Sequence, residues 1–167
     1  MLGVDGMHEL TSCGNVSAAL EKYSGMVYRI CFMYLRNKDE AEDAFQDIFL
    51  RYIQANRHFE SDEHEKAWLC KVSFNRCKDI LRSFRFKTTS LESSAEPYYE
   101  NSEEGAVLEA VLKLPTKYKD VIYLHYYEGY TAAQIAKLLK CGENAVYSQL
   151  SRGRQMLKER LGDDFED

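Results

Sequence analysis

Apolar side chains recur every three or four residues along most of this chain, the spacing of helices that bury one face. The pattern is sharpest within residues 131–161, where two short helices are predicted around a turn at 141–144. Thr131 is placed to cap the first helix, and Asn144 the second. The apolar positions of the two helices are Ile135, Ala136, Leu138 and Leu139, then Val146, Leu150, Leu157 and Leu161.

Polar and basic side chains occupy the other faces of the second helix. These are Tyr147, Ser148, Gln149, Ser151, Arg152 and Arg154. A small residue, Ala136, would let the two helices cross closely. The second helix could then present polar groups to a DNA major groove, as in a helix-turn-helix. The alternative interpretation is an ordinary helical hairpin in an all-α core.

The remaining periodic segments also predict helices. They cover residues 16–36, about 40–55 with Asp39 as the cap, about 65–86, a segment from 106, and a helix from Pro115 that ends near 128–129. No stretch shows the alternation of a strand. The sequence therefore predicts an all-α protein with two small helical domains, the second containing the helix-turn-helix.

The helix at 40–55 has an acidic outer side. Its apolar residues are Ala41, Ala44, Phe45, Ile48 and Phe49. That arrangement leaves Glu42, Asp43, Gln46 and Asp47 facing outward. Such a face is either an ordinary solvated surface or a dock for a basic partner.

The helix at 65–86 is basic in its second half. The basic residues are Lys71, Arg76, Lys78, Arg82, Arg85 and Lys87, with Phe74, Phe84 and Phe86 between them. Basic groups with exposed aromatic rings suit a phosphate backbone and unstacked bases. The rings could equally belong to the core, but the run as a whole favours nucleic acid.

Charge divides the chain more sharply than its total of −5 suggests. Residues 16–87 carry +2 and residues 106–161 carry +4, whereas residues 88–105 carry −5 and the tail at 162–167 carries −4. Residues 88–105 are also rich in serine, threonine and glutamate, which predicts a flexible acidic linker. Two basic domains, 16–87 and 106–161, would then be separated by a linker and followed by an acidic tail.

Several classes of function find no support in the composition. No apolar run is long enough to insert in a membrane, and the first residues do not resemble a secretion signal. The five cysteines form no CxxC pair, which fits a reducing cytoplasm, and Cys31, Cys70 and Cys77 fall among core positions. The four histidines have no metal-ligand spacing. We therefore predict no cofactor, no metal, no catalytic residue and no enzymatic activity.

Four motifs in order resemble the extracytoplasmic-function sigma factors, small bacterial initiation subunits of RNA polymerase. They are DEAEDAFQDIF, AWLCKVSFNRCKDILR, KLPTKYKDVIYLHYYEGYTAAQIAKLL and AVYSQLSRGRQMLKERL, and the resemblance covers about residues 16–161. It implies a region 2-like domain at 16–87 and a region 4-like domain at 106–161. It also implies that the chain binds core polymerase at the β′ clamp and β flap, binds promoter DNA, and directs promoter recognition and melting.

The resemblance implies a role for each matching position. The residues expected to dock on polymerase are Asp43, Gln46, Asp47 and Phe49. Those expected at the −10 element are Lys71, Asn75, Lys78, Arg82 and Arg85, with Asp79 in a structural pairing to Arg76 or Arg82. Those expected at the −35 element are Asn144, Ala145, Tyr147, Ser148, Gln149, Ser151, Arg152 and Arg154, with Gln149 a candidate reader of adenine.

Three positions depart from the family pattern, because Tyr147 and Gln149 replace basic residues and Lys140 replaces the usual turn glycine. These departures leave the −35 sequence open. An anti-sigma factor is a further partner that many relatives have. The alternative function is a free-standing helix-turn-helix regulator that does not bind core polymerase.

Overall fold

A computed structural model describes the backbone of residues 5–87 and 103–162, and the side chains of residues 15–83 and 105–162. These residues form α-helices and one π-helical turn, with no strand among them, which confirms the predicted all-α fold. The helices are α1 (Asp5–Leu35), α2 (Lys38–Ala55), α3 (Asp62–Lys87), α4 (Glu103–Leu112), α5 (Thr116–Ile122), α6 (Ala132–Leu139) and α7 (Glu143–Leu161). The π-helical turn, Tyr123–Tyr127, continues α5.

The chain divides into two compact units, residues 1–96 and residues 97–167. The first unit contains α1, α2 and α3, and the second contains α4 to α7. Most of the predicted linker, 88–105, and the tail at 163–167 lie outside the described residues. Residues 103–105, predicted to belong to the linker, are part of α4.

In the first unit, α1 packs against both α2 and α3. The ring of Tyr34 on α1 meets Phe74 on α3 edge-on, with 5.6 Å between ring centroids. The thiol of Cys70 lies 3.4 Å from the sulfur of Met26. Cys31, Cys70 and Cys77 are fully buried, as predicted, and act as small apolar core residues.

In the second unit, α7 packs against α5, α6 and α4. The closest approach is at Gly153, where a Cβ atom would lie only 2.9 Å from Cγ1 of Ile122. A larger residue would therefore force the Ile122 side chain or the two helices to shift. Of the predicted apolar positions of α7, Val146, Leu150 and Leu157 are buried, whereas Leu161 is half-buried.

Two of the predicted helix caps are wrong. Asn37, not Asp39, caps α2, because its extended backbone (φ −143°) lets the side-chain oxygen accept the amide of Glu40 at 3.1 Å. Asn144 lies inside α7, whose N-cap residue is Gly142. Both errors arise where several good capping residues lie close together in the sequence.

Three helix starts also differ from the prediction. Helix α1 begins at Asp5 rather than at residue 16, and α4 at Glu103 rather than at 106. Helix α3 begins at Asp62 rather than at 65, because the hydroxyl of Ser61 accepts the amide of His64. The helix from Pro115 ends as predicted near residue 128, but its last turn is π-helical.

The cap of α6 is as predicted and is doubly bonded. The Thr131 hydroxyl accepts the amide of Gln134 at 3.2 Å, and the Gln134 side chain accepts the amide of Thr131 at 2.9 Å. Helix α6 ends at Lys140, which adopts the left-handed conformation (φ 55°, ψ 49°). A lysine at this position is strained, since only glycine adopts that conformation without steric cost.

We predict that Lys140→Gly stabilises the second unit by about 0.5–1 kcal/mol, because it relieves this strain. The matched change Lys137→Gly, in the regular part of α6, should destabilise the unit by about 1 kcal/mol. Urea denaturation monitored by two-dimensional NMR gives separate signals for the two units, and it measures the free energy of unfolding of the second unit in each variant. Equal destabilisation by the two substitutions would contradict the assigned turn.

Candidate functional site

The outer face of α2 is acidic at its start and apolar further along. Asp43 and Gln46 are exposed, and Asp47 is half-buried, as expected for a docking face. Phe49, which was also expected to dock, is only 5% exposed. It therefore belongs to the core beneath this face.

Two apolar residues on the same face of α2 escaped the sequence analysis. Leu50 is 54% exposed and Ile53 is 42% exposed. They follow Asp43 by seven and ten residues, so they extend its stripe along the helix. We call Asp43, Gln46, Asp47, Leu50 and Ile53 the α2 face. The available signal was the helical spacing from Asp43, which places both residues opposite the buried Ala44 and Ile48.

Asp47 links the α2 face to α3. Its Oδ2 accepts a hydrogen bond from Nε of Arg51 at 3.2 Å and forms an ion pair with Nε of Arg76 at 2.5 Å. Of the two partners predicted for Asp79, Arg76 or Arg82, the structure shows Arg82, whose Nη1 lies 3.8 Å from Asp79 in an exposed contact. The negative charge of Asp47 is therefore shared within the protein.

The described residues predicted for the −10 element form one line along α3. Lys71, Asn75, Lys78 and Arg82 follow each other by four, three and four residues, and none of them is buried. We call these four residues the α3 stripe. The side chain of the fifth predicted residue, Arg85, lies outside the described set, as do those of Phe84 and Phe86.

The two interpretations of Phe74 were an exposed ring and a core ring, and the structure shows a core ring, since its side chain is only 2% exposed and contacts Tyr34. The ring of Phe74 also contacts the α3 stripe through a cation–π interaction, since the ammonium group of Lys78 lies 5.9 Å from its centroid. Burial, followed by the charge of Arg82, lowers the pKa of Lys78.

A group of stacked aromatic rings surrounds the start of α3. The ring of Phe59 stacks on Tyr52 at 6.0 Å and meets Trp68 at 5.7 Å and His64 edge-on at 5.4 Å. The hydroxyl of Tyr52 donates to Glu65 at 2.6 Å, and burial, followed by this bond, raises the pKa of Tyr52. These contacts could not be predicted from the sequence, since they join residues from three segments.

Helix α7 presents most of its predicted DNA-binding residues to solvent. The exposed ones are Asn144, Ala145, Tyr147, Ser148, Ser151 and Arg152. Asn144, Ser148 and Ser151 lie opposite the buried face. Gln149 and Arg154 are half-buried and lie on the two flanks, next to the core. The exposed Gln155, which accepts a hydrogen bond from Arg152 at 3.1 Å, was not predicted.

Within the described parts of the chain, no group of histidine, cysteine, aspartate and glutamate side chains is arranged to hold a metal ion. The same parts contain no helix with both the length and the apolarity needed to cross a membrane.

Comparison with protein families gives two matches of the same family. Residues 19–86 match sigma-70 region 2, and residues 104–157 match sigma-70 region 4. The chain therefore belongs to the sigma-70 family of RNA polymerase sigma factors, in its extracytoplasmic-function group. The prediction of a sigma factor is confirmed, and the free-standing regulator is not favoured. Members of this family are not enzymes in general.

Similar proteins include the ECF RNA polymerase sigma factor SigM of Mycobacterium tuberculosis, 24% identical over 96% of this chain and 90% of that protein. SigW of Bacillus subtilis is 26% identical over 84% of this chain and 86% of that protein. The probable sigma factor RfaY of Xanthomonas campestris is 29% identical over 91% of this chain. The match covers only 39% of the length of RfaY.

The fold is similar to that of a solved sigma factor, RpoE from Bartonella quintana in complex with the anti-sigma factor NepR. The TM-score is 0.74, at 20% sequence identity, over 90% of this chain and 99% of that one.

One titratable group lies beneath the helix-turn-helix, on α5. Asp120 is only 3% exposed, and burial raises its pKa to about 7. In the unfolded chain its pKa would lie near the ordinary value of about 3.9. Between these two pKa values the folded protein keeps a proton that the unfolded chain has lost. The free energy of unfolding must therefore fall as the pH rises through this range.

We predict that the second unit loses a few kcal/mol of stability between about pH 4 and pH 7, and little more above pH 8. Asp120→Asn should remove most of this dependence, whereas Glu159→Gln, at an exposed position of the same unit, should leave it unchanged. Urea denaturation at several pH values, followed by NMR signals of α7, measures the slope. The same slope in Asp120→Asn and the unsubstituted chain would show that Asp120 is not responsible.

Proposed function

We propose that this sigma factor docks on core RNA polymerase through the α2 face and binds promoter DNA through the α3 stripe and helix α7. The observation that carries this proposal is the α2 face itself. It combines exposed acidic and amide groups with two large exposed apolar side chains that no described part of the first unit covers. Exposed apolar residues beside charges are typical of a surface that binds another protein.

The chemistry of the α2 face indicates the kind of surface it fits. Asp43 favours a basic partner and would increase the rate of encounter, whereas Leu50 and Ile53 contribute affinity when water is removed from them. The β′ clamp of core polymerase is the expected partner, and the β flap is the partner expected for the second unit. Polymerase would supply the catalysis, and the sigma factor would contribute binding and promoter recognition.

The α3 stripe supports a role at the −10 element. Three cationic side chains and the amide of Asn75 lie in one line, spaced by about 5–6 Å per turn along the helix. Lysine and arginine bind phosphates in a sequence-independent way. The rings of Phe59 and Trp68, which are half-buried near the start of α3, offer surfaces on which unstacked bases could pack.

Helix α7 is proposed to read the −35 element with its first two turns. In a helix-turn-helix, the N-terminal residues of the recognition helix contact base edges. Asn144 and Ser148 lie there and face outward, and an asparagine amide can form two hydrogen bonds with adenine. Gln149 is less suitable, because it lies beside the core.

Two further assignments are part of the proposal. The chain would act in the cytoplasm, where core polymerase is found. An anti-sigma factor is an expected regulator, since the similar proteins RpoE of Bartonella quintana and CnrH were solved in complex with NepR and with the cytosolic domain of CnrY.

We predict that the double variant Asp43→Lys, Leu50→Glu weakens binding to core polymerase by at least about tenfold, because it removes both kinds of docking contact. The matched control is Ala18→Glu, Glu21→Lys, which makes the same types of change at exposed positions on α1. Co-elution with purified core polymerase, together with circular dichroism, measures the effect. Equal binding by both variants would remove the docking role of the α2 face.

We predict that Asn144→Ala costs about 1–3 kcal/mol of binding and relaxes preference at one position of the −35 element, because a base contact is lost. Gln149→Ala should change preference little. Both variants would be assayed as polymerase complexes on a library with a randomised upstream element. Relaxed preference in Gln149→Ala alone would reverse the assignment of the two residues.

A further inference from the structure

The π-helical turn, Tyr123–Tyr127, contains an exposed tyrosine, Tyr126. It follows five consecutive buried residues, 120–124. In the π-helical turn the amide of Glu128 bonds to the carbonyl of Tyr123, five residues earlier. Tyr123 and Leu124 remain buried, and Tyr126 is 44% exposed.

The exposed Tyr126 is held beside the recognition helix. Its hydroxyl accepts a hydrogen bond from Nη1 of Arg154 on α7 at 3.2 Å. Its ring lies edge-on to that of His125, with 4.9 Å between centroids. His125 is fixed in turn by the 2.9 Å contact between its Nδ1 and the carbonyl of Tyr130. The π-helical turn therefore orients Tyr126 toward Arg154 through contacts on two sides.

Arg154 lies too far along α7 to share the role of Asn144 and Ser148. It follows the first residue of the helix, Glu143, by 11 positions, which is about 16 Å at the α-helical rise. The major groove is about 12 Å wide, so a helix that enters with its N-terminal end reaches the phosphates over that length. Arg154 also lies on a flank of the helix, at the side from which Tyr126 approaches.

We infer that Tyr126 and Arg154 together bind one phosphate of the DNA backbone at the edge of the −35 element. A phenol that accepts a hydrogen bond from a guanidinium still has its own proton to donate, and a phosphate oxygen is a strong acceptor. Arg154 supplies the charge and Tyr126 a second, directed hydrogen bond. The inference rests on the proposed function and adds to it a contact outside the recognition helix.

The surroundings favour a nucleic-acid phosphate over an acidic or apolar protein surface. Residues 106–161 carry a net charge of +4. The carboxylate of the segment 123–130, Glu128, accepts a hydrogen bond from the buried Tyr123 at 2.6 Å. Arg154 is part of α7, the helix proposed to enter the DNA major groove, and Tyr126 lies beside it. The anions next to such a helix are the phosphates of the DNA backbone.

The test compares Tyr126→Phe with Tyr127→Phe in the full chain bound to core polymerase. Both substitutions remove only a hydroxyl group from neighbouring, partly exposed rings. The probes are a promoter duplex that the unsubstituted holoenzyme transcribes and the same duplex with a scrambled −35 element. Fluorescence anisotropy at several salt concentrations gives affinity and salt slope, and thermal unfolding reports stability.

We expect Tyr126→Phe to weaken binding to both duplexes about tenfold, with no change in unfolding temperature, and Tyr127→Phe to bind normally. Arg154→Gln should lower the salt slope by roughly one unit. The double variant should lose less than the sum of the two single losses. Unchanged affinity in Tyr126→Phe, or a loss confined to the promoter duplex, would overturn the phosphate contact. If core polymerase with the unsubstituted chain transcribes no duplex, the proposed function fails, and the phosphate contact fails with it.

Discussion

The close packing of α7 on α5 at Gly153 determines which residues of α7 face solvent in the second unit. A Cβ atom at this position would lie 2.9 Å from Cγ1 of Ile122, so a larger residue would force the Ile122 side chain or the two helices to shift. Because α7 is fixed along this line, Val146 and Leu150 must point inward and Ser148 outward. The same packing places Arg154 beside Tyr126. Base reading and the inferred phosphate contact therefore both depend on one helix–helix contact.

In the first unit, the two surfaces with proposed roles share one small core. Helix α2 buries one side against α1 and α3, which leaves the α2 face outside, and α3 carries the α3 stripe beside the buried Phe74. The ion pair between Asp47 and Arg76 joins the two helices at their surfaces. A partly exposed pair of this kind contributes only about 0–1 kcal/mol. Its importance is geometric, because it fixes the side chain of a docking residue relative to the helix that is proposed to bind DNA.

The features that depend on helical periodicity could be predicted from the sequence. They include the helix-turn-helix with Thr131 as its cap, and the buried Cys31. The caps of α2 and α7 could not, because two good candidates lie close together in each case and the backbone decides between them. These are Asn37 and Asp39 for α2, and Gly142 and Asn144 for α7. The π-helical turn could not be predicted either. Residues 120–124 are all buried, so their burial shows no helical periodicity from which a change in the helix could be detected. An exposed apolar residue such as Leu50 cannot be told from a core residue by its type alone, because the packing of the neighbouring helices decides which side is buried.

The central claim is that this chain acts as an initiation subunit rather than as an independent DNA-binding protein. Run-off transcription with core RNA polymerase on a genomic library tests it most directly. The account predicts transcripts that require both components and start at discrete sites sharing an upstream element. The contradicting result would be no new transcripts from the mixture, together with a chain that binds a palindromic duplex as a dimer without polymerase.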